Sequence, residues 1–293
     1  MNRKLVVQLV ALFFITQLIG LVVGFELIRE KNSGLIEQPA IVNQNPNDVI
    51  NSIALIAYIL IFTGILLLVI KFFRQFIALI FKVFESLVIF GTTNIVLLAV
   101  LNLFFPSIVL PFGGLEILAA GILAVFVRLV WKKSILLRNI TSVIAAAGAG
   151  ALIGITLGII PVVLFVAALA VYDLIAVFKT KHMVTLAKEI TSKNLSFTFA
   201  LPTKEHTFEL GTGDMVIPLT LTVSVLEASL SKVSFPGSIF APSLVLAGSL
   251  VGLLLTIDYS SKHVGKALPA LPPQTILMLA MIALSAALGF SVF

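Results

Sequence analysis

Nine long runs of mostly apolar residues follow one another through this chain of 293 residues. A helix that crosses a bilayer needs about 20 such residues, and each run is close to that length. Apolar residues make up 60% of the chain and charged residues only 11%, which excludes a soluble domain of this length. We predict an all-α polytopic membrane protein of nine transmembrane helices, in one transmembrane domain covering residues 1–293. The runs cover residues 5–25, 50–70, 84–104, 113–130, 139–156, 159–178, 213–230, 238–256 and 273–292.

The basic residues are divided unevenly between alternate loops. If the amino terminus is cytoplasmic, 16 Lys and Arg residues lie on the inner side, and only Arg29, Lys31 and Lys232 lie on the outer side. This asymmetry follows the positive-inside rule. The net charge of +6 therefore indicates topology, and no nucleic-acid partner is predicted. We expect a multi-pass protein of the cell membrane whose amino terminus is cytoplasmic and whose surroundings are the lipid bilayer.

Two aspartates lie within apolar runs. An ionised carboxylate in hydrocarbon costs at least a few kcal/mol, so such residues are usually functional. Asp173 lies about 9 Å from the inner end of the sixth run, and Asp214 lies about 7.5 Å into the seventh, at 1.5 Å of rise per residue. Because consecutive spans are antiparallel, both carboxylates are predicted at similar depth in the cytoplasmic-side leaflet.

Paired carboxylates at one depth can act as an acid and a base. Two carboxyl groups a few ångströms apart share one proton, because both cannot ionise together. One can then activate water as general base while the other, protonated, polarises a carbonyl group. The expected chemistry is that of aspartic proteases, with a tetrahedral intermediate and no covalent acyl-enzyme.

The residues beside the aspartates suit this chemistry. Tyr172 is expected to shape the pocket, since neighbouring residues on a helix point in different directions. Gly211 and Gly213 would allow a tight entry into the seventh helix and a close approach of a substrate backbone. The prolines from Pro269 onwards lack backbone donors and can leave carbonyl groups free at the same level.

Three short motifs resemble those of a known family. Tyr172-Asp173, Gly211-Thr212-Gly213-Asp214 and Pro269-Ala270-Leu271 resemble the YD, GxGD and PAL motifs of presenilin and signal peptide peptidase. The motif order, the nine runs and the cytoplasmic amino terminus are similar to the presenilin arrangement. The short loops resemble those of archaeal members.

The resemblance implies an intramembrane aspartyl protease that cleaves single-span transmembrane helices or signal peptides. Asp173 and Asp214 would be the catalytic pair. It implies a scaffold of helices one to five (residues 1–156) and a catalytic half of helices six to nine (157–293). No cofactor is expected. The site would be shaped, and substrate held, by Tyr172, Gly211, Thr212, Gly213, Pro269, Ala270 and Leu271.

Two other functions remain open from the residues. A prepilin or preflagellin peptidase also has a GxGD element, but it should lack the YD and PAL partners. A membrane transporter or channel coupled to protons or cations could also use paired acids. A metalloprotease is disfavoured because His182, His206 and His263 form no HExxH motif, and no metal site is predicted.

Four further patterns make structural predictions. Residues 195–201 alternate apolar and small polar side chains, which predicts a strand. We hypothesise that this strand pairs with an unwound substrate by β-augmentation; the alternative is a partly ordered linker.

The glycines at 150, 154 and 158 predict close helix packing. Glu85 is expected to pair with Lys82, and the polar loop of residues 26–49 is expected to be exposed and mobile.

Overall fold

The computed structural model describes residues 3–37, 39–72, 75–106, 112–131, 133–179, 197–203, 207–262 and 269–290. Within these residues the chain forms nine α-helices, and each overlaps one predicted run. A π-helical turn, Ile175–Lys179, continues α6. The helices are α1 Arg3–Asn32, α2 Val49–Phe72, α3 Ile77–Phe104, α4 Leu115–Val130, α5 Ile135–Thr156, α6 Ile159–Leu174, α7 Gly213–Leu230, α8 Phe240–Lys262 and α9 Leu271–Ala287.

Most of these helices are long and apolar enough to cross a membrane. In the described part of the chain, seven helical segments meet that condition of length and composition. In two of them α6 is joined to its π-helical turn, and α8 to the short helix Gly237–Ile239 that precedes it. The remaining two helices, α4 and α9, have 16 and 17 residues. The helical, multi-pass architecture predicted from the sequence is confirmed.

The helix α7 lies at the centre of the bundle. From Met215 to Leu226 nearly every side chain is buried, and Gly213 is the one exposed residue of the helix. A helix that is apolar all round is stable only when other helices or lipid surround it. Here α1, α5, α6, α8 and α9 all contact α7. The chain therefore encloses the helix that begins with Gly213 and Asp214.

Glycines on two neighbouring helices allow this close packing. A Cβ atom at Gly154 of α5 would lie 2.7 Å from the Val223 Cβ and 2.9 Å from the Thr220 carbonyl oxygen. On α1, a Cβ atom at Gly24 would lie 2.7 Å from a Val223 methyl group. The predicted glycine packing is confirmed for Gly150 and Gly154, which approach Leu219 and Val223 of α7. Two helices thus hold α7 at distances that only glycine permits.

A two-stranded antiparallel hairpin leads into α7. Strand β1 spans Thr198–Pro202 and pairs with β2, Thr207–Gly211, in a register that places Ala200 opposite Glu209. The predicted strand at residues 195–201 overlaps β1; residues 195 and 196 lie outside the described part of the chain. The partner strand β2 was not predicted. It ends at Gly211, so the hairpin is continuous with the GxGD segment.

The outer loop is exposed over most of residues 33–49, as predicted, but two of its details were not expected. First, α1 continues through residues 26–32. Second, the buried Asn51 organises the segment that precedes it: its Oδ1 accepts from the N–H of Asn43 at 2.8 Å, and its Nδ2 donates to the carbonyl groups of Asn43 and Asn45, both at 2.9 Å. The Gly158 N–H also donates to the Pro46 carbonyl at 2.8 Å, which ties this loop to the start of α6.

The predicted partner of Glu85 is also wrong. The Arg128 Nε donates to Glu85 Oε1 at 3.0 Å, and both side chains are buried between α3 and α4. Lys82 lies one turn away on the same helix, and sequence proximity favoured it. A buried carboxylate requires a close, desolvated counter-charge, and Arg128 supplies it.

Candidate active site

The carboxylate of Asp173 is held by the backbone of the PAL segment. Asp173 occupies the last turn of α6 and is partly buried. The Leu271 N–H donates to Asp173 Oδ2 at 3.3 Å, and the Ala270 N–H faces the same carboxylate. These are donors that the first turn of α9 cannot use within the helix. The PAL segment therefore orients Asp173 through its backbone.

Asp214 lies at the opposite side of the same site, in the first turn of α7. The Gly211 N–H faces its carboxylate, and Asp214 Oδ2 lies 3.5 Å from the position of a Cβ atom at Gly211. The two aspartates lie close enough for their charges to interact. Two carboxylates from separate helices, each oriented by a backbone donor, thus face one site.

Thr212 joins the turn to the hairpin. Its N–H and its hydroxyl group both donate to the Phe197 carbonyl, each at 3.1 Å. Its own carbonyl accepts from the N–H groups of Met215 and Val216, at 3.0 Å each, which begins the helix. The position between the two glycines therefore fixes the geometry of the turn.

The two glycines of the turn face open space in the described structure. A Cβ atom at Gly213 would meet nothing within 4 Å, and one at Gly211 would make only the contact with Asp214. Neither has the positive φ that would require glycine. The turn into α7 therefore does not itself require glycine. The absence of a side chain at Gly213 instead leaves open space beside it.

The other predicted site residues pack around this pair. Tyr172 is partly buried against the apolar cluster formed by α6, α7, α8 and α9. Pro269 and Ala270 are buried, and Ala270 belongs to a cluster with Phe199, Leu210 and Met215. The PAL segment, the hairpin and the start of α7 therefore share one apolar core beside the aspartates.

The residues that hold the hairpin were missed by the sequence analysis. Arg138 of α5 donates to the Glu209 carboxylate and, at 3.1 Å, to the Thr198 hydroxyl, which in turn donates to Glu209 Oε2 at 2.8 Å. The next residue, Asn139, makes two hydrogen bonds with the backbone of Ala200. Ser142 donates to the Thr198 carbonyl at 3.2 Å. The available signal was the presence of polar residues near the start of this helix, whose remaining residues are mostly apolar.

A second missed residue supports α7 from the amino-terminal helix. Gln17 of α1 is 2% exposed, and its Nε2 donates to the Met215 carbonyl at 3.1 Å. Met215 follows Asp214 directly. A glutamine in the middle of the first apolar run was the available signal, since buried amides need partners.

These contacts change the hypothesis about the predicted strand. The outward-facing N–H and carbonyl of Ala200, together with the Thr198 carbonyl, are occupied by side chains of α5. The outer edge of β1 is therefore covered, and it cannot receive another strand. Because pairing alternates along an antiparallel ladder, Glu209 of β2 directs its N–H and carbonyl away from β1. These two groups have no hydrogen-bond partner within the described residues.

Metal ligands do not gather at this site. Among the described residues no three His, Cys, Asp or Glu side chains are placed to hold a metal ion. The three histidines lie outside the described part of the chain.

Comparison with known proteins assigns the family. The model of the family described as signal-peptide peptidase, presenilin aspartyl protease matches residues 10–287. The fold is similar to that of a presenilin family intramembrane aspartate protease solved in two crystal forms. The first has 23% identity and a TM-score of 0.68, and the match covers 97% of this chain and 99% of that one. The second has 22% identity and a TM-score of 0.62, with coverage of 95% and 97%. No protein among the curated sequences matches.

The match to the family model spans nearly the whole chain, including α6, α7 and the start of α9. It therefore includes both aspartates and the PAL segment. The chain belongs to the signal peptide peptidase and presenilin family, and it is an intramembrane aspartyl protease.

Proposed function

We propose that Asp173 and Asp214 are the catalytic pair and that they hydrolyse a peptide bond of a single-span transmembrane helix or signal peptide. The observation that carries this proposal is their arrangement. Two carboxylates from adjacent helices lie within range of each other's charge, and a separate backbone donor orients each one. They also lie in the segments Tyr172-Asp173 and Gly211–Asp214, which resemble the YD and GxGD motifs of the family.

The proposed mechanism needs only these two side chains and water. Mutual repulsion leaves one proton shared between the carboxyl groups. The ionised group takes a proton from water as the oxygen attacks the scissile carbonyl carbon, and the protonated group donates to the carbonyl oxygen. The resulting diol collapses when the leaving nitrogen receives a proton. The PAL backbone holds Asp173 in place during these steps, and the Gly211 N–H holds Asp214.

We extend the proposal to topology. All nine helices cross the membrane, the amino terminus is cytoplasmic, and the site opens in the cytoplasmic-side leaflet of the cell membrane. The 16 to 3 distribution of basic residues supports this orientation. The 16 and 17 residues of α4 and α9 rise about 24–26 Å, slightly less than a hydrocarbon core of about 30 Å. Residues 1–156 then form the scaffold and 157–293 the catalytic half.

We also propose that β2, not β1, receives the substrate. A helical substrate must unwind before its peptide bond can react, and its freed backbone groups then need partners. The outer edge of β2 offers the N–H and carbonyl of Glu209, two residues before Gly211. A substrate strand beside β2 would lie about 4.8 Å away and run towards Asp214.

The catalytic proposal is tested with isosteric variants. In detergent, Asp173→Asn and Asp214→Asn should each lower cleavage of a single-span reporter peptide more than about 1000-fold, while a hydroxyethylene isostere blocks the wild type. Glu37→Gln, at an exposed acid of the outer loop, is the control and should keep full activity. Retention of one tenth of the activity by either Asn variant would contradict the proposal, as would ion flux without proteolysis.

The β2 proposal is tested on the substrate, so the enzyme stays intact. N-methylation removes a single backbone donor without changing the side chain. Reporter peptides methylated at successive positions beside the scissile bond should lose cleavage at every second position, because only alternate residues face β2. Equal losses at all positions, or none, would remove β2 as the docking strand and leave the catalytic pair unaffected.

A further inference from the structure

A groove between α1 and α5 lies behind the hairpin, away from the aspartates. It has a volume of about 630 Å³ and is lined mainly by apolar side chains. Its lining includes Leu12 and Ile15 on α1, Ile140 and Ile144 on α5, and Leu201 and Pro202 on β1. The two helices are parallel, because Gly20 and Gly150 both approach Leu219 and, four residues later, Gly24 and Gly154 both approach Val223. Both helices therefore begin at the same end of this groove.

The polar groups of the groove lie near that end. Gln8 lines the groove, and its Oε1 is buried with no hydrogen-bond partner within the described residues. A buried amide oxygen without a partner is costly, so a ligand or water that donates to it is expected. Asn139 also lines the groove, but both of its amide groups are used by Ala200.

Basic residues stand at the entrance. Lys4 is exposed and precedes Gln8 by four residues, so it lies on the same face of α1, about 6 Å nearer the end of the helix. The exposed Lys133 comes two residues before Ile135, which lines the groove from α5. Arg138 adds little net charge because Glu209 neutralises it. Lys4 and Lys133 therefore place two formal positive charges beside an apolar interior.

We propose that this groove binds one anionic glycerophospholipid. Its phosphate lies against Lys4 and Lys133, a water bound to its ester carbonyl groups donates to the Gln8 Oε1, and an acyl chain follows Leu12 and Ile15. Positive charge at the membrane surface above an apolar slot matches the order of groups along such a lipid.

The lipid would bear directly on the hairpin. Leu201 is 1% exposed and Ala200 is as deeply buried, and both line the groove from β1. A chain packed on them stabilises the strand that positions β2 and the GxGD turn. Binding therefore raises proteolytic activity. This consequence rests on the proposed function of the aspartates, whereas the binding itself does not.

The binding is measured by native mass spectrometry of the full chain in detergent, with dioleoylphosphatidylglycerol and dioleoylphosphatidylcholine as probes. The wild type should retain one phosphatidylglycerol in clear preference to phosphatidylcholine. Ala11→Trp fills the groove from an exposed position and should abolish retention. Leu18→Trp, seven residues later on α1, fills a different apolar groove between α1, α3, α7 and the start of α8, and should retain lipid as the wild type does.

The charge is tested separately, which also covers the case in which Ala11→Trp fails to fold. Lys4→Gln should weaken phosphatidylglycerol binding roughly fivefold, and Lys4→Arg should restore it. Equal binding of both lipids, equal loss in Leu18→Trp, or unchanged binding in both Ala11→Trp and Lys4→Gln would overturn the proposal. A dimer that Ala11→Trp dissociates would instead assign the groove to a second copy of the chain.

The effect on activity is a second readout. In nanodiscs, phosphatidylglycerol should raise the cleavage rate of the wild type but not that of Ala11→Trp. Lipid binding without any proteolysis would support the lipid site and contradict only the proposed function of the aspartates. Cleavage that ignores a bound lipid would remove the link to the hairpin.

Discussion

Asn139 and Ala200 are joined by two hydrogen bonds that cover the outer edge of β1. The Asn139 Nδ2 donates to the Ala200 carbonyl at 2.9 Å, and the Ala200 N–H donates to the Asn139 Oδ1 at 2.8 Å. A side-chain amide thus takes the place of a third strand. The hairpin is left with one open edge, and that edge leads to Asp214.

The first prediction concerns this pair. Asn139→Leu leaves both backbone groups of Ala200 without partners, and each unsatisfied group costs about 1–3 kcal/mol. We expect a lower unfolding temperature in detergent and at least a tenfold loss of cleavage. Asn32→Leu, at an exposed asparagine that ends α1, is the control and should change neither. An Asn139→Leu enzyme of normal activity would show that the hairpin needs no support from α5.

The second prediction concerns the ion pair between the buried Arg138 and the partly buried Glu209. Removal of one partner leaves an uncompensated charge, which costs about 3–5 kcal/mol. Arg138→Met and Glu209→Met should each destabilise the protein strongly, and the double variant should be more stable than either single variant. The measurement is a double-mutant cycle of unfolding free energies, with cleavage rates alongside.

A second ion pair provides the control for that cycle. Lys31 and Glu227 form an ion pair between the ends of α1 and α7 that lie far from Asp214. Lys31→Met should lower stability without lowering the cleavage rate of the folded fraction. If it lowered that rate as much as Arg138→Met does, the effect of Arg138 would be one of general stability.

The third prediction concerns Gly154. An alanine Cβ there would lie 2.7 Å from the Val223 Cβ and 2.9 Å from the Thr220 carbonyl oxygen. Because one of these atoms is backbone, α5 and α7 must move apart, at a cost of about 1–3 kcal/mol. Thermal unfolding of Gly154→Ala in detergent should show the loss. Gly64→Ala on α2, where nothing lies within 4 Å, is the matched control.

The fourth prediction concerns Gly213, where the opposite pattern is expected. A Cβ atom there meets nothing within 4 Å, so Gly213→Ala should unfold at the wild-type temperature or slightly above it. Its cleavage rate should fall, because the open space beside Asp214 is where a substrate backbone would lie. Stability and activity both unchanged would mean that the substrate approaches from another side.

The helices could be predicted well because their signal is local. An apolar run and its length determine whether a segment can span a membrane, and all nine runs recur as helices in the described chain. The paired depth of Asp173 and Asp214 also followed from local counting, since two antiparallel helices joined at one end must place equivalent positions together. Their catalytic role remains a prediction that the Asn variants will test.

The missing parts of the prediction are the long-range pairings. Residue 85 pairs with a residue 43 positions away, although a lysine lies one turn from it. Strand β1 was visible in the alternation of residues 195–201, but β2 was not. Its short sequence, Thr-Phe-Glu-Leu-Gly, contains a glutamate whose partner, Arg138, lies on α5. Such partners depend on how helices are arranged in space, and periodicity along one segment carries no information about that.

Because other helices enclose α7, Asp214 is held more firmly than Asp173. Asp214 begins a helix fixed between glycine faces, whereas Asp173 ends a helix whose Ile160, Leu164 and Val171 are exposed at the rim of the bundle. Changes in bilayer thickness or lateral pressure act directly on α6 and reach α7 only through its neighbours. A change in the membrane therefore displaces Asp173 more than Asp214, and so alters the distance between the two carboxylates.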